Sequence, residues 1–480
     1  MPTPLLARLL SDLRDGDDRP AVRGASRADL GRLVSGYAAA LHARGLVAGD
    51  TVGLAVRPGV RALGVLLAAY RMGLRIAVLD PTAGPDVLLA RLGPAEPRMV
   101  LADAAAQAVA GWAGPLARRA HLALPDLSAL APIHTIGRRL PGSAPVLHLG
   151  QGPVPPAFDG DGDAVIVFTS GTTSRPRAVV HTRASLDAGM RAVHDLVRPM
   201  PGRPVLGGTF FVLLPSLAAG APVALPGRLA RQIRRLDPQA TYLTPPQIRT
   251  ALATGVRFRG RVYSGSAPVS ASLLRALRAA GATEAWGVYA LTEVFPAAAV
   301  ESSAKAAFTV EGDLVGDLLP GVTADVTPAG ELLLRGPNAA DRYLGEDPLE
   351  WVATGDLGRV DGRTVVLGGR RKDMILRGAE NIYPGLYEPA LHVPGVWLAV
   401  LVGVPAGDGD ERVVALVQPA PGADPSAVRA ALRAPLDRMG AARPDEVVLG
   451  EVPLAGRSRK PDRAAAARWA AARLAGRVAR

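Results

Sequence analysis

An alternation of strand and helix periods near the N-terminus constrains the fold of this chain more than any other feature. Residues 28–44 place apolar side chains at helical spacing, 51–56 read as a short strand, and 60–72 read as a second helix. Residues 75–79 form a further strand pattern that ends at Asp80-Pro81. Such alternation predicts an α/β protein with parallel strands covered by helices. The pattern resumes with a strand at 164–168, a helix at 183–197, a strand reached through 220–225 and a helix at 271–280. From Gly321 it changes to short strands at 324–327, 331–335 and 364–368, and the tail carries helical patterns at 426–439 and 463–474.

A chain of 480 residues exceeds one compact core, so at least two domains are expected. We place a boundary near Gly369, giving a large N-terminal domain over 1–369 and a small one over 370–480. Aromatic residues make up 4%, so the core must be built from Ala, Leu and Val. The absence of cysteine excludes disulfides, thiolate metal sites and a Cys nucleophile. The uncharged stretch 204–227 is long enough to span a membrane but is interrupted by Pro215, Pro222 and several glycines. It reads instead as a buried strand–helix–strand segment, and a cytoplasmic protein without a membrane span is expected.

The net charge of +12 comes from scattered arginines, with no basic run interleaved with aromatics, so nucleic acid is not an expected partner. Lysine is confined to Lys305, Lys372 and Lys460. In so arginine-rich a chain, the motif lysines Lys372 and Lys460 mark places where a compact, mobile ammonium is needed, whereas Lys305 is read as retained by chance. The run Asp159-Gly160-Asp161-Gly162-Asp163 imitates a calcium loop but lacks the required glycine and glutamate spacing, and is expected to be a solvated turn in the linking segment 151–163.

Five clusters carry the chemistry. The first is Phe168-Thr169-Ser170-Gly171-Thr172-Thr173-Ser174-Arg175-Pro176-Arg177, an apolar strand running into hydroxyls, glycine and cations. Backbone N–H groups, hydroxyls and guanidinium groups together suit a polyphosphate, although the ending of a Walker loop is missing. The others are Tyr289-Ala290-Leu291-Thr292-Glu293, Thr354-Gly355-Asp356, the segment Gly369 to Pro384, and Pro453 through Arg459-Lys460-Pro461-Asp462-Arg463.

In order and spacing these clusters resemble the adenylate-forming superfamily of acyl- and aryl-CoA synthetases, peptide-synthetase adenylation domains and luciferases. The resemblance covers nearly the whole chain. It implies a large adenylating domain of parallel and mixed sheets with flanking helices, followed by a small mobile α+β domain. It implies ATP, Mg²⁺ and coenzyme A as reactants and cofactors, and a small carboxylic acid as substrate. Thr169, Ser170, Gly171, Thr172 and Thr173 resemble the loop that holds the β- and γ-phosphates, and Thr292 a phosphate ligand. Tyr289 resembles the aromatic that stacks on adenine. Stacking uses the ring and not the hydroxyl, so Tyr289→Phe is expected to matter far less than Asp356→Ala. Glu293 resembles the Mg²⁺ carboxylate, Asp356 the acceptor for both ribose hydroxyls, and Arg370 a further ribose or phosphate contact. Lys460 resembles the lysine that bridges the acid and the α-phosphate. Lys372 occupies the hinge position, Gly378 the pantetheine tunnel, and Ser264, Gly265 and Ser266 the acid pocket.

Departures accompany the match. Ser174, Arg177 and Ala178 stand where the phosphate loop usually has glycine, lysine and glycine, and Arg459 where a glycine usually precedes the tail lysine. The stretch 205–210 lacks the histidine often found before Leu213-Leu214-Pro215. Val78 to Pro81, Ser264 to Val269 and Ala290 to Pro296 also look like the β-lactone synthetases of olefin biosynthesis, which close a ring from the adenylate without coenzyme A. The expected reaction is acyl-CoA ligation. The alternatives are a lactone-forming or other natural-product ligase, and a nucleotide-binding scaffold that has lost catalysis.

Overall fold

The structure, a computed structural model, describes residues 3–79, 93–114, 124, 126–129, 131–168, 178–377, 380–407, 410–455 and 459–478. The chain divides into two compact units. The first comprises Met1–Tyr242, Leu291–Pro296 and Arg335–Val352, and the second Leu243–Ala290, Ala297–Leu334 and Ala353–Arg480.

The first unit holds the predicted parallel sheet. Its strands run in the order Arg342–Tyr343, Ala178–Thr182, Asp163–Phe168, Arg75–Val78, Thr51–Ala55, Met99–Ala102 and Ile133–Thr135. The strand Thr51–Ala55 pairs in parallel with both its neighbours, whereas Asp163–Phe168 and Ala178–Thr182 are antiparallel. The Asp80-Pro81 end of the second predicted strand lies outside the described residues. Helix Arg27–His42 starts at a capping box, in which Ser26 and Asp29 exchange side-chain and backbone bonds, an arrangement that contributes about 1 kcal/mol. It packs on helix Val60–Arg71 at Gly64, where a Cβ would lie 3.0 Å from Leu33.

The uncharged stretch 204–227 forms strand Val205–Gly207, helix Phe210–Ala218 and strand Val223–Ala224, as its composition predicts. Val205–Gly207 lies between Ala240–Leu243 and Val223–Ala224, all in parallel. No helix among the described residues is long and apolar enough to cross a membrane. The Asp-rich run ends in an ion pair, not in open solvent. Asp163 accepts from Arg342 at 3.0 and 2.7 Å and from Arg75 at 3.3 Å.

In the second unit a largely antiparallel sheet runs Thr323–Val326, Glu331–Arg335, Val352–Asp361, Thr364–Arg370, Asp313–Leu318, Ala298–Glu301, Glu284–Tyr289 and Arg261–Ser264. Lys305 is buried beside it, donating to Asp313 at 2.6 Å and to the Leu314 carbonyl at 2.8 Å.

The tail differs from its helical reading by two long strands. Val396–Gly407 and Asp410–Pro419 pair antiparallel, and Glu446–Leu449 adds in parallel. Side chains alternate across a strand, so Ala399 and Leu401 face a core with Val428 and Leu432, while Val400 and Val402 face Ala466 and Ala470. Helices Pro425–Asp437 and Arg463–Val478 supply those two covers.

Candidate active site

Asp356 sits at the centre of the second unit's polar residues. It lies on strand Val352–Asp361, directly opposite Arg370 on strand Thr364–Arg370. Gly355, just before it, has φ +70, a conformation that favours glycine, and its N–H donates to Glu331 at 3.0 Å. The Asp356 N–H donates to Thr354 Oγ1 at 3.0 Å, and that hydroxyl donates to the Leu332 carbonyl at 2.7 Å. Asp356 is buried, with 2% of the residue exposed. Arg370 Nε donates to Oδ1 and the Tyr289 hydroxyl to Oδ2, each at 2.6 Å.

Burial, then the Asp356 charge, pushes the Tyr289 hydroxyl well above its ordinary pKa, so it remains a donor at neutral pH. Burial opposes the charge on Arg370, but Asp356 outweighs it and the pKa is raised. The hydroxyl of Tyr289 thus has a partner that the sequence reading did not assign. Each carboxylate oxygen keeps a lone pair beyond these two bonds, and a vicinal diol can use both.

Lys460 and Lys372 are exposed at their side chains yet crowded by protein atoms. That crowding, followed by the Arg370 and Lys372 cations, lowers the pKa of Lys460, and Asp356 partly restores it. Lys372 is lowered likewise, by crowding and then by Arg370. The structure therefore brings Tyr289, Asp356, Arg370, Lys372 and Lys460 within one electrostatic neighbourhood.

The segment bearing Lys460 is anchored three residues later. Arg463 makes a two-pronged pair with Glu388 at 2.6 and 2.7 Å, reaches Asp373 at 3.0 Å and donates to the Leu401 carbonyl at 2.9 Å. Sequence reasoning quoted Arg463 in the tail motif without a role. Ser264 closes strand Arg261–Ser264, fully buried, and among the described residues its hydroxyl has no hydrogen-bond partner. Gly265 and Ser266 follow, the latter in a left-handed conformation with φ +66.

Thr292 and Glu293 belong to the first unit, in the segment Leu291–Pro296. Its backbone is held at several points. Ala340 N–H donates to the Glu293 carbonyl at 2.7 Å, and Asn338 Nδ2 donates to the carbonyls of Pro296 at 2.8 Å and Phe295 at 3.3 Å. His181 contacts the Thr292 carbonyl at 2.8 Å. The Tyr343 hydroxyl donates to Glu293 Oε1 at 3.3 Å. Sequence reasoning missed His181, Asn338 and Tyr343, because each acts through tertiary contacts.

Glu293 is half-buried, and its carboxylate is a hard oxygen donor of the kind a divalent cation takes. Mg²⁺ commonly takes one or two carboxylates and completes its shell with phosphates and water. Among the described residues no group of three or more His, Asp or Glu is gathered to hold a metal. The loop residues Thr169, Ser170, Gly171, Thr172 and Thr173, and the tunnel residue Gly378, lie outside the described residues.

The chain belongs to the AMP-binding enzyme family, whose model matches residues 13–344. It is 29% identical over 300 residues to an indoleacetate–CoA ligase of Aromatoleum aromaticum, a match covering 54% of this chain and 58% of that protein's length. It is 26% identical over 438 residues to a 4-chlorobenzoate–CoA ligase of Arthrobacter, covering 81% and 79%. The solved structure of the amide bond synthetase McbA from Marinactinospora thermotolerans shares its fold, with a TM-score of 0.77, 24% identity, and 97% and 99% of the two chains covered.

Proposed function

We propose that this chain activates a carboxylic acid with ATP, forming an acyl-adenylate and pyrophosphate, and then transfers the acyl group to coenzyme A. The observation that carries this reading is the buried Asp356 carboxylate, fixed by Tyr289 and Arg370 with lone pairs left for a diol. A ribose presents such a diol, and Tyr289 offers its ring to the base.

In the first step an oxygen of the acid attacks the α-phosphorus, and the bond to the bridging oxygen of pyrophosphate breaks. Negative charge accumulates on the α-phosphate oxygens as the two anions meet. Catalysis is then positioning and charge stabilisation, which needs no covalent enzyme intermediate. Lys460 would neutralise the acid and α-phosphate together, Thr292 would bind phosphate, and Glu293 would hold Mg²⁺. The ion supplies charge neutralisation of the phosphates.

The second step requires a thiol to attack the acyl carbonyl and AMP to leave. We assign it to a reorientation of residues 370–480 about Lys372 that withdraws Lys460 and brings the segment of Gly378 to the thiol. Ser264, Gly265 and Ser266 are assigned to the acid pocket. The similarity to CoA ligases supports this acceptor.

The test is ATP–pyrophosphate exchange with fatty, aryl and β-hydroxy acids, followed by product analysis with and without coenzyme A. Acid-dependent exchange and a thioester product are expected. A lactone released from a β-hydroxy acid without coenzyme A would replace the ligase reading, and absence of exchange with every acid would leave a nucleotide-binding scaffold.

A further inference from the structure

His181 is a buried titratable group to which the proposed reaction assigns no step. It lies on strand Ala178–Thr182, the strand that leaves the Ser/Thr-rich segment, and its side chain is 0% exposed. Nε2 lies 2.8 Å from the Thr292 carbonyl, and Nδ1 lies 3.3 Å from Ser185 Oγ. A carbonyl only accepts, so Nε2 carries the proton and Nδ1 is an acceptor that shares the Ser185 hydroxyl proton with the Thr182 carbonyl, 3.3 Å from Oγ. The ring meets Phe295 edge to face, with centroids 5.1 Å apart. Phe295 in turn fills the space over Gly189, where a Cβ would come within 2.7 Å of its ring.

These contacts converge on the short segment that holds both Thr292 and Glu293. Ala340 and Asn338 hold the carbonyls at and after Glu293. Among the described residues, the donor found at the carbonyl immediately before Glu293 is His181. Without it, the Thr292 carbonyl loses that anchor, and any tilt of the peptide between Thr292 and Glu293 carries both side chains with it. A buried carbonyl that loses its donor also bears the full cost of desolvation. We propose that His181 is a positioning residue, which holds the Thr292–Glu293 peptide so that the Thr292 hydroxyl and Glu293 carboxylate meet the metal–nucleotide. This rests on the reading of Glu293 as the Mg²⁺ carboxylate.

The test is the Mg²⁺ dependence of ATP–pyrophosphate exchange in three variants. His181→Met keeps apolar bulk without a donor, His181→Gln restores an N–H at similar reach, and Phe295→Leu loosens the ring packing while leaving the hydrogen bond. His181→Met is expected to raise the Mg²⁺ concentration for half-maximal exchange roughly tenfold, with a turnover number at saturating Mg²⁺ close to wild type. His181→Gln should recover most of that shift, and Phe295→Leu should leave the Mg²⁺ requirement unchanged. If His181→Met does not fold, Ser185→Ala carries the test. It removes the partner of Nδ1 together with the bond from Ser185 Oγ to the Thr182 carbonyl, and should raise the requirement roughly twofold to threefold. An unmoved Mg²⁺ requirement in His181→Met or its substitute, or an equal shift in His181→Gln, would overturn the proposal and leave His181 as core packing. Glu293→Gln is run alongside. If it raises the Mg²⁺ requirement while His181→Met does not, only the present proposal fails. If Glu293→Gln leaves the requirement unmoved, the metal reading of Glu293 fails first.

Discussion

The Tyr289 hydroxyl donates to Asp356 Oδ2 at 2.6 Å, on the carboxylate whose other oxygen is taken by Arg370. The ring and the hydroxyl of Tyr289 therefore have separate tasks, and removing the hydroxyl alone has a cost. Tyr289→Phe should weaken ATP binding about threefold to tenfold, because a hydrogen bond to a charged group is partly replaced by the ribose. Asp356→Ala should weaken it by more than about tenfold. Isothermal titration of ATP into each variant decides this. An affinity in Tyr289→Phe equal to wild type would return the hydroxyl to a spectator.

Lys460 should set the alkaline limit of the first half-reaction. Its ammonium is needed charged, and crowding by protein atoms, followed by the Arg370 and Lys372 cations, lowers its pKa from the usual 10.5. Because the charged form is the active one, activity is lost as pH rises, and is lost earlier than an ordinary lysine would allow. The profile of kcat/KM for exchange reports groups of the free enzyme. Its alkaline limb should fall below pH 10.5. Lys372→Ala removes one repelling cation and should move the limb upward. A limb that stays in place in Lys372→Ala would separate the two lysines electrostatically.

The half-reactions should divide between the same two residues. Lys460→Ala is expected to abolish pyrophosphate exchange while still converting presynthesised acyl-adenylate to thioester. Lys372→Pro fixes φ at the proposed hinge and should do the reverse. Both steps are measurable separately with synthetic adenylate and coenzyme A. Equal damage to both steps in Lys460→Ala would make that lysine structural.

Arg463 should matter for stability before it matters for rate. Its guanidinium neutralises Glu388 and Asp373 at 2.6 to 3.0 Å. Arg463→Met leaves the buried Glu388 carboxylate unpaired, a loss of about 3–5 kcal/mol. The midpoint of urea unfolding should fall accordingly. A midpoint unchanged from wild type would show that the carboxylates find other partners.

Residue type and spacing single out short motifs whose chemistry can be proposed from sequence. Asp356, Tyr289 and Arg370 stand in short motifs, and the fold then brought them together. Their mutual bonds were not legible, because Asp356 meets Arg370 through strand register and meets Tyr289 across 67 positions of sequence. His181 was invisible for a different reason. A lone histidine in an apolar strand carries no local signal, and its partner carbonyl lies 111 positions away. The strands Val396–Gly407 and Asp410–Pro419 escaped notice because both of their faces are buried. A run apolar on both faces loses the alternation that marks a half-exposed strand. The expected solvated turn at Asp159 to Asp163 failed at its last residue, since Arg342 arrives from far along the chain to pair with Asp163.

The burial of Lys305 has a consequence for chemical labelling. Its ammonium is held by Asp313 and the Leu314 carbonyl, with 7% of the residue exposed. Of the three lysines in the chain, that leaves Lys372 and Lys460 open to an amine-selective reagent. Both have lowered pKa values, so each offers more of the reactive free amine at mildly alkaline pH than an ordinary surface lysine. Among the lysines, reductive methylation or acylation of the folded protein therefore writes onto Lys372 and Lys460. Counting the incorporated groups by mass spectrometry becomes a direct gauge of how far a bound nucleotide shields them.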